Sequence, residues 1–190
     1  MATDSWDPQK YGQFESQRSQ PFYELLALIE ARDPDLVVDL GCGTGSLTRK
    51  LHETLRARQT VGVDSSPAML ARANEFQGEG LEFTLGDISD LTRVRAALPS
   101  TSPPSGSRPD DAPHVDVVFS NAALQWIPDH PRVIARWSEL LGESGELAIQ
   151  VPSNFDHPSH QIIAELADEE PFHSAGEGPL PRDPVQSVLK

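Results

Sequence analysis

The sequence predicts an α/β fold, an open and mostly parallel sheet with helices on both faces. Three observations carry that reading. Short apolar, β-branched runs recur at residues 36–40, 60–64, 81–85, 115–120 and 146–151. Stretches with apolar residues at helical spacing lie between them. The first run ends in Asp39-Leu40-Gly41-Cys42-Gly43-Thr44-Gly45, a glycine-rich passage from strand to helix. Strands alternating with helices pair in parallel through right-handed crossovers, and such sheets bind ligands beyond the carboxyl ends of their strands.

Each helix has its own signal. Residues 21–32 open on Pro21 and space Phe22, Leu25, Leu26, Leu28 and Ile29 on one face. Residues 45–58 repeat this with Leu47, Leu51 and Leu55. Ser66-Pro67 marks the start of a helix over 67–76, serine as cap and proline in the first turn. A short helix is expected over 89–98. Residues 131–141 carry Val133, Ile134, Trp137, Leu140 and Leu141, with Gly142 as the expected stop. A last helix is expected over 158–169. Two segments predict no regular structure: 99–114 holds five prolines among Ser, Gly and Asp, and 171–190 holds four.

Composition narrows the functional classes. The chain has 190 residues, enough for one domain. It carries 15 Lys and Arg against 29 Asp and Glu, a net charge of −14. That balance opposes binding to nucleic acid or to an anionic membrane surface, both of which reward a basic patch. It suits a cationic small ligand. No apolar run is long enough to span a bilayer, and residues 1–10 lack the apolar core of a secretion signal. The single cysteine, Cys42, forms no internal disulfide, so a reducing cytoplasm is the expected compartment. No metal-ligand spacing is present, and no feature specifies an oligomeric state.

The residues at the strand ends suggest the ligand. Gly41, Gly43 and Gly45 alternate, which permits a tight turn and close approach of backbone N–H groups, with Asp39 leading in. The spacing is neither the dinucleotide fingerprint nor a phosphate-binding Walker loop. Asp64 ends the second strand, with Ser65 beside it, where a carboxylate accepts both hydroxyls of a ribose. Met69 supplies a soft wall for a base. Asp87 and Ile88, after the third strand, suit the amine edge and the face of an adenine. Asn121, after the fourth, offers acceptors to an ammonium, and Gln125 and Trp126 follow it toward a second substrate. Each also has a plainer reading. The glycines can serve only as a turn, Asp64 as a helix N-terminal acid, Asp87 as the cap of helix 89–98 and Trp126 as core. Taken together they fit a nucleoside with an amino-acid tail and no pyrophosphate, namely S-adenosyl-L-methionine.

The glycine turn, the Asp64 strand end and Gly86-Asp87-Ile88 resemble the class I S-adenosylmethionine-dependent methyltransferases. More narrowly, the chain is similar to the trans-aconitate 2-methyltransferase family. That likeness runs through Trp6-Asp7-Pro8, Tyr11, Phe14 and Arg18, through Asp64-Ser65-Ser66-Pro67-Ala68-Met69-Leu70, and through Leu124-Gln125-Trp126-Ile127-Pro128-Asp129-His130 to Gln150-Val151-Pro152 and Asn154. It covers 5–98 and 115–165. The resemblance implies a Rossmann-like sheet and methyl transfer to a carboxylate of a small tricarboxylic acid, giving a methyl ester. A carboxylate is ionised at pH 7, so no catalytic base is assigned. Arg18 is implied on the carboxylate of the cofactor, and Tyr11, Gln125, Trp126, Asn154 and His157 are the candidate contacts for the acceptor.

Two departures from the family shape the expectation. The insertion at 99–114 falls before the fourth strand, at the end of the sheet away from the site, and is expected to be neutral for catalysis. Family members also continue with further strands, so this chain is expected to be a C-terminally truncated relative. Residues 1–170 form its methyltransferase domain, 171–190 an unstructured end, and the fifth strand an open apolar edge. Two other readings remain at this point. One is a non-catalytic methyltransferase-like remnant, the other an enzyme with a different acceptor such as a malonyl thioester.

Overall fold

Leu36, Val37, Val38 and Leu40 are almost wholly buried, and a strand buried on both faces belongs at the centre of a parallel sheet. The computed structural model describes residues 15–99 and 114–152, with positions 162, 165, 166 and 169. In it the elements run α1 (Glu15–Ala27), β1 (Leu36–Leu40), α2 (Ser46–Leu55), β2 (Gln59–Asp64), α3 (Pro67–Ala73), β3 (Leu81–Leu85), α4 (Leu91–Ala97), β4 (Val115–Asn121), α5 (His130–Ser138) and β5 (Leu141–Gln150). The strand order is β3-β2-β1-β4-β5, every pair parallel. The order reverses beside β1, so the ends of β1 and β4 diverge and leave a crevice there.

Alternating side chains of β1 feed two cores. Val37, with Val117 and Phe119 of β4, meets Phe22, Leu25 and Leu26 of α1 and Leu51 and Leu55 of α2. Leu36, Val38 and Leu40, with Val61 and Val63, meet Val94 of α4 and Val133 and Trp137 of α5. Each fully buried side chain of this kind is worth about 1.5–3 kcal/mol over its exposed state. Two carboxylates tie the entry to β1. Asp116 accepts from Leu36 N at 2.9 Å, and Glu146 of β5 accepts from the backbone N–H groups of Glu30 and Ala31.

Several boundaries differ from expectation. α1 starts at Glu15, contains Pro21 and ends at Ala27, before Leu28, which is exposed. The chain end of α1 is closed by Arg32, whose Nη1 donates to the carbonyls of Ile29, Glu30 and Ala31. α2 stops at Leu55 because Arg56 takes a left-handed conformation, φ 55°. Ser66 caps α3 as expected, accepting from Met69 N at 3.2 Å, and a short 3-10 turn, Asn74–Phe76, completes it.

Gly142 does not stop α5. The helix ends at Ser138 and β5 begins at Leu141, five residues earlier than expected. Leu141 pairs with Val115 and Glu146 with Val117, so extra residues bulge between them. Gly145 makes this possible, since a Cβ there would sit 2.8 Å from Val115 O. Among the described residues nothing pairs with the outer side of β5. The insertion from 100 to 113 and the end at 171–190 lie outside the described residues. Of the helix expected over 158–169, residues 162, 165 and 166 are helical.

Candidate functional site

The passage from β1 to α2 turns back onto β2. Gly41 N and Cys42 N both donate to Val63 O, at 2.8 and 3.1 Å. Gly41 has φ +84°, and a Cβ on it would lie 2.2 Å from Ala123 Cβ. Glycine here lets the β1 and β4 loops touch. Gly43, φ +55°, has the opposite surroundings: a Cβ there would meet nothing within 4 Å. It faces open space over the strand ends. Gly45 packs instead on Ala73 of α3.

Asp64 joins the two loops. Its Oδ2 accepts from Gly43 N at 2.8 Å and its Oδ1 from Ser66 N at 2.9 Å. Each carboxylate oxygen has further acceptor capacity beyond its one backbone donor. After β3, Asp87 holds its own turn, accepting from Ser89 N and Ser89 Oγ on Oδ1 at 2.9 and 2.7 Å. It is not the cap of the next helix. Asp90 fills that place, with Oδ1 accepting from Thr92 N and Arg93 N.

These strand ends enclose a cavity of about 240 Å³. Its wall brings together Gly41, Gly43, Asp64, Ser65, Met69, Asp87, Ile88 and Trp126 from the sequence-derived candidates. It also includes Ala122, Ala123 and Ile127, which sequence reasoning missed. Ile127 lies inside the Leu124–His130 motif and was legible there as an apolar neighbour of Trp126. The two alanines carry no chemical signal, although Ala122 has φ 54°, a strained value for a residue with a Cβ. Trp126 is 67% exposed at the rim, so it is not core. The core tryptophan is Trp137, whose Nε1 donates to Ile88 O at 2.8 Å and fixes the Ile88 wall.

Four candidates stand outside the cavity wall. Gly45 is one of them, packed on α3. Asp39 is buried on β1, and its Oδ2 accepts from Thr48 Oγ1 at 2.6 Å. Burial pushes its carboxyl up to about 7, the Thr48 bond opposes this, and the charge of Asp64 adds to it. Asn121 Oδ1 and Gln125 Oε1 are buried without a hydrogen-bond partner, as is His130 Nε2. Gln125 Nε2 donates to Ala122 O at 2.7 Å. Burial also pushes the Cys42 thiol up, with Asp39 and Asp64 adding to the shift, so it is a filler and not a thiolate. Arg18 lies on α1, its side chain outside the described residues. Tyr11, Asn154 and His157 lie outside them altogether. No group of three potential metal ligands occurs among the described residues.

The wall therefore offers two carboxylates, open backbone at Gly43 and an apolar lining of Met69, Ile88 and Ile127. It can take a flat apolar ring, a pair of hydroxyls and positive charge. Comparison with known sequences agrees with this chemistry. A family described as a methyltransferase domain matches residues 33–177. The chain belongs to this methyltransferase family. Among curated relatives, a trans-aconitate 2-methyltransferase of Deinococcus radiodurans is 44% identical over 165 residues, covering 87% of this chain and 56% of that protein. One of Rhodococcus jostii is 42% identical, covering 87% and 57%. The chain thus spans little more than half the length of these relatives. Among solved structures, an S-adenosylmethionine-dependent methyltransferase from Mesorhizobium loti superposes with a TM-score of 0.55 at 25% identity, covering 73% of this chain and 55% of that one. A methyltransferase from a complex with the Haloferax volcanii Trm112 activator gives 0.62 at 24% identity, covering 90% and 73%. The methyltransferase domain here has the Rossmann-like class I sheet. No helix among its described residues is long and apolar enough to cross a membrane.

Proposed function

We propose that this methyltransferase domain binds S-adenosylmethionine at the ends of β1 to β4 and methylates a carboxylate of a small polycarboxylic acid such as trans-aconitate. One observation carries the reading: the Asp64 carboxylate is held by Gly43 N and Ser66 N at the wall of a cavity lined by glycine backbone and apolar side chains. The relatives named trans-aconitate 2-methyltransferase supply the acceptor class.

The residues fit the cofactor. Asp64 accepts the ribose hydroxyls, with Ser65 beside it. Met69 and Ile88 sandwich the adenine, and Asp87 takes its amine. Backbone at Gly41 and Gly43 lies along the open space, where a Cβ at Gly43 would intrude. Asn121 Oδ1, buried without a partner, is the acceptor for the ammonium of the amino-acid tail. Arg18 takes its carboxylate. Asp39 and Gly45 hold the turn from below.

When bound, the cofactor supplies an electrophilic methyl on a sulfonium. The acceptor carboxylate is already ionised at pH 7, so no side chain is needed as a base. The protein's part is alignment of the carboxylate oxygen with the methyl, together with exclusion of water by Trp126, Ile127 and Ile88. Bringing opposite charges together in a dry site favours a step that neutralises both. Gln125 and Trp126, with Tyr11, Asn154 and His157, are the groups proposed to hold the acceptor. They must do so locally, against a chain of net charge −14. A cytoplasmic location suits a protein whose one cysteine is a buried free thiol.

The test is incubation of the purified chain with S-adenosylmethionine and trans-aconitate, followed by mass spectrometry. A monomethyl ester with stoichiometric S-adenosylhomocysteine is expected. Folded protein that binds the cofactor yet yields no ester from trans-aconitate or other small polycarboxylates would overturn the acceptor assignment.

A further inference from the structure

We propose that Thr48 is a positioning residue for the cofactor, acting through the buried Asp39 carboxylate to fix the glycine turn and to set how cofactor affinity responds to pH. The inference rests on the reading of this pocket as an S-adenosylmethionine site.

The geometry is a clamp. Asp39 is the second-last residue of β1 and Thr48 lies in the first turn of α2, so the two flank the glycine turn on both sides. Their bond, 2.6 Å from Thr48 Oγ1 to Asp39 Oδ2, closes the loop of chain that contains Gly41, Gly43 and Gly45. Thr48 is fully buried and Asp39 nearly so, and neither lines the cavity. A hydroxyl and a carboxylate are costly to bury merely to join a strand to a helix, where apolar residues would pack as well.

Few charged groups act on Asp39. From β2, Asp64 does, and from the turn, Cys42 interacts with it. On α2, Arg49 and Lys50 pair with Glu53 at the surface, and His52 bonds Thr60. On α1, Glu24 accepts from Gln20 and is exposed. β4 contributes Asp116, engaged with Leu36 N at the far end of the sheet. No cation among the described residues offsets Asp39. Its ionisation is opposed by burial and by Asp64, and is helped by the Thr48 hydroxyl.

A cationic ligand against Asp64 removes part of that opposition. Binding then favours the ionised Asp39, and by linkage affinity rises with pH until Asp39 is ionised in the free protein. The demethylated product has lost the sulfonium charge, so it gains less from the same ionisation. The ratio of the two affinities therefore rises with pH, a preference for substrate over product that Thr48 tunes.

The experiment is calorimetric titration of the intact chain with S-adenosylmethionine and with S-adenosylhomocysteine from pH 5.5 to 8.5, on wild type, Thr48→Val, Thr48→Ser and Asp39→Asn. A carbon-detected NMR titration of the Asp39 carboxyl without ligand runs in parallel. The wild-type affinity for S-adenosylmethionine should rise several-fold across the range, and the product less. Thr48→Val should lose affinity several-fold at pH 7 and move both the binding profile and the NMR midpoint to higher pH. Thr48→Ser should restore both, and Asp39→Asn should flatten the binding profile. A Thr48→Val variant that superposes on wild type in both readouts overturns the proposal, as does a failure of Thr48→Ser to restore them. Absence of any binding by wild type would instead strike the pocket assignment, while the NMR midpoints would still decide the Thr48–Asp39 coupling.

Discussion

Gly43 N donates to Asp64 Oδ2 at 2.8 Å, which locks the loop after β1 to the end of β2 across 21 positions of sequence. A carboxylate so held is pre-aimed at the cavity, and the backbone that aims it is the same backbone a ligand must approach.

Asp64→Ala removes this lock and, with it, the proposed ribose acceptor. The affinity for S-adenosylmethionine should fall by about 1–3 kcal/mol, the cost of leaving hydrogen-bonding groups unpaired. Calorimetric titration checks it. An affinity equal to wild type would mean that Asp64 serves the loop alone.

Gly41 and Gly43 should respond differently to alanine. At Gly43, φ +55° costs about 1–2 kcal/mol of stability in the left-handed region. No clash adds to that, and the larger loss should be in cofactor binding. At Gly41 the 2.2 Å approach to Ala123 Cβ adds overpacking of about 1–3 kcal/mol to the same backbone strain. Urea unfolding of the two variants, set beside their cofactor affinities, separates the cases. Equal stability losses would contradict the geometry.

Asp39 makes stability depend on pH. Its carboxyl is raised from 3.8 to about 7 in the fold, so the native state keeps a proton that the unfolded chain releases. That contribution is full below pH 3.8 and is lost as pH rises through about 7. Asp39→Asn cannot lose it. Thermal melts should therefore show the variant gaining on wild type between pH 5 and pH 8, and levelling above. A difference that does not vary with pH would contradict the burial argument.

The tryptophans of the site region should part company. Trp126 is 67% exposed, so Trp126→Ala should change stability by no more than about 0.5 kcal/mol while raising the KM of the acceptor. Trp137 is fully buried and holds Ile88 O, so Trp137→Ala should cost about 3–5 kcal/mol. Unfolding curves with steady-state kinetics test both.

Much of the site was legible because a parallel sheet delivers its loops to one end. Five apolar runs place Gly41, Asp64, Asp87 and Asn121 at successive strand ends, and all five strands end within a residue of expectation. What escaped was set by tertiary contact. Pro21 signals a helix start, yet α1 continues through it, with Phe22, Leu25 and Leu26 packed on the sheet. The early start of β5 depends on Gly145 meeting Val115 O, which no local pattern reveals. Asp39 reads as a ligand-side acid from its place before the glycines, but alternation along β1 turns it to the face that holds α2, where Thr48 takes it. Ala122 and Ala123 line the cavity, and an alanine carries no chemical signal in the sequence.

S-adenosylmethionine is proposed to lie against Asp64 and Gly43, and calorimetric titration of the purified chain with that ligand tests this most directly. Saturable binding at one site per chain, weakened by Asp64→Ala, is the predicted result. A folded, monodisperse chain that takes up no S-adenosylmethionine would contradict it.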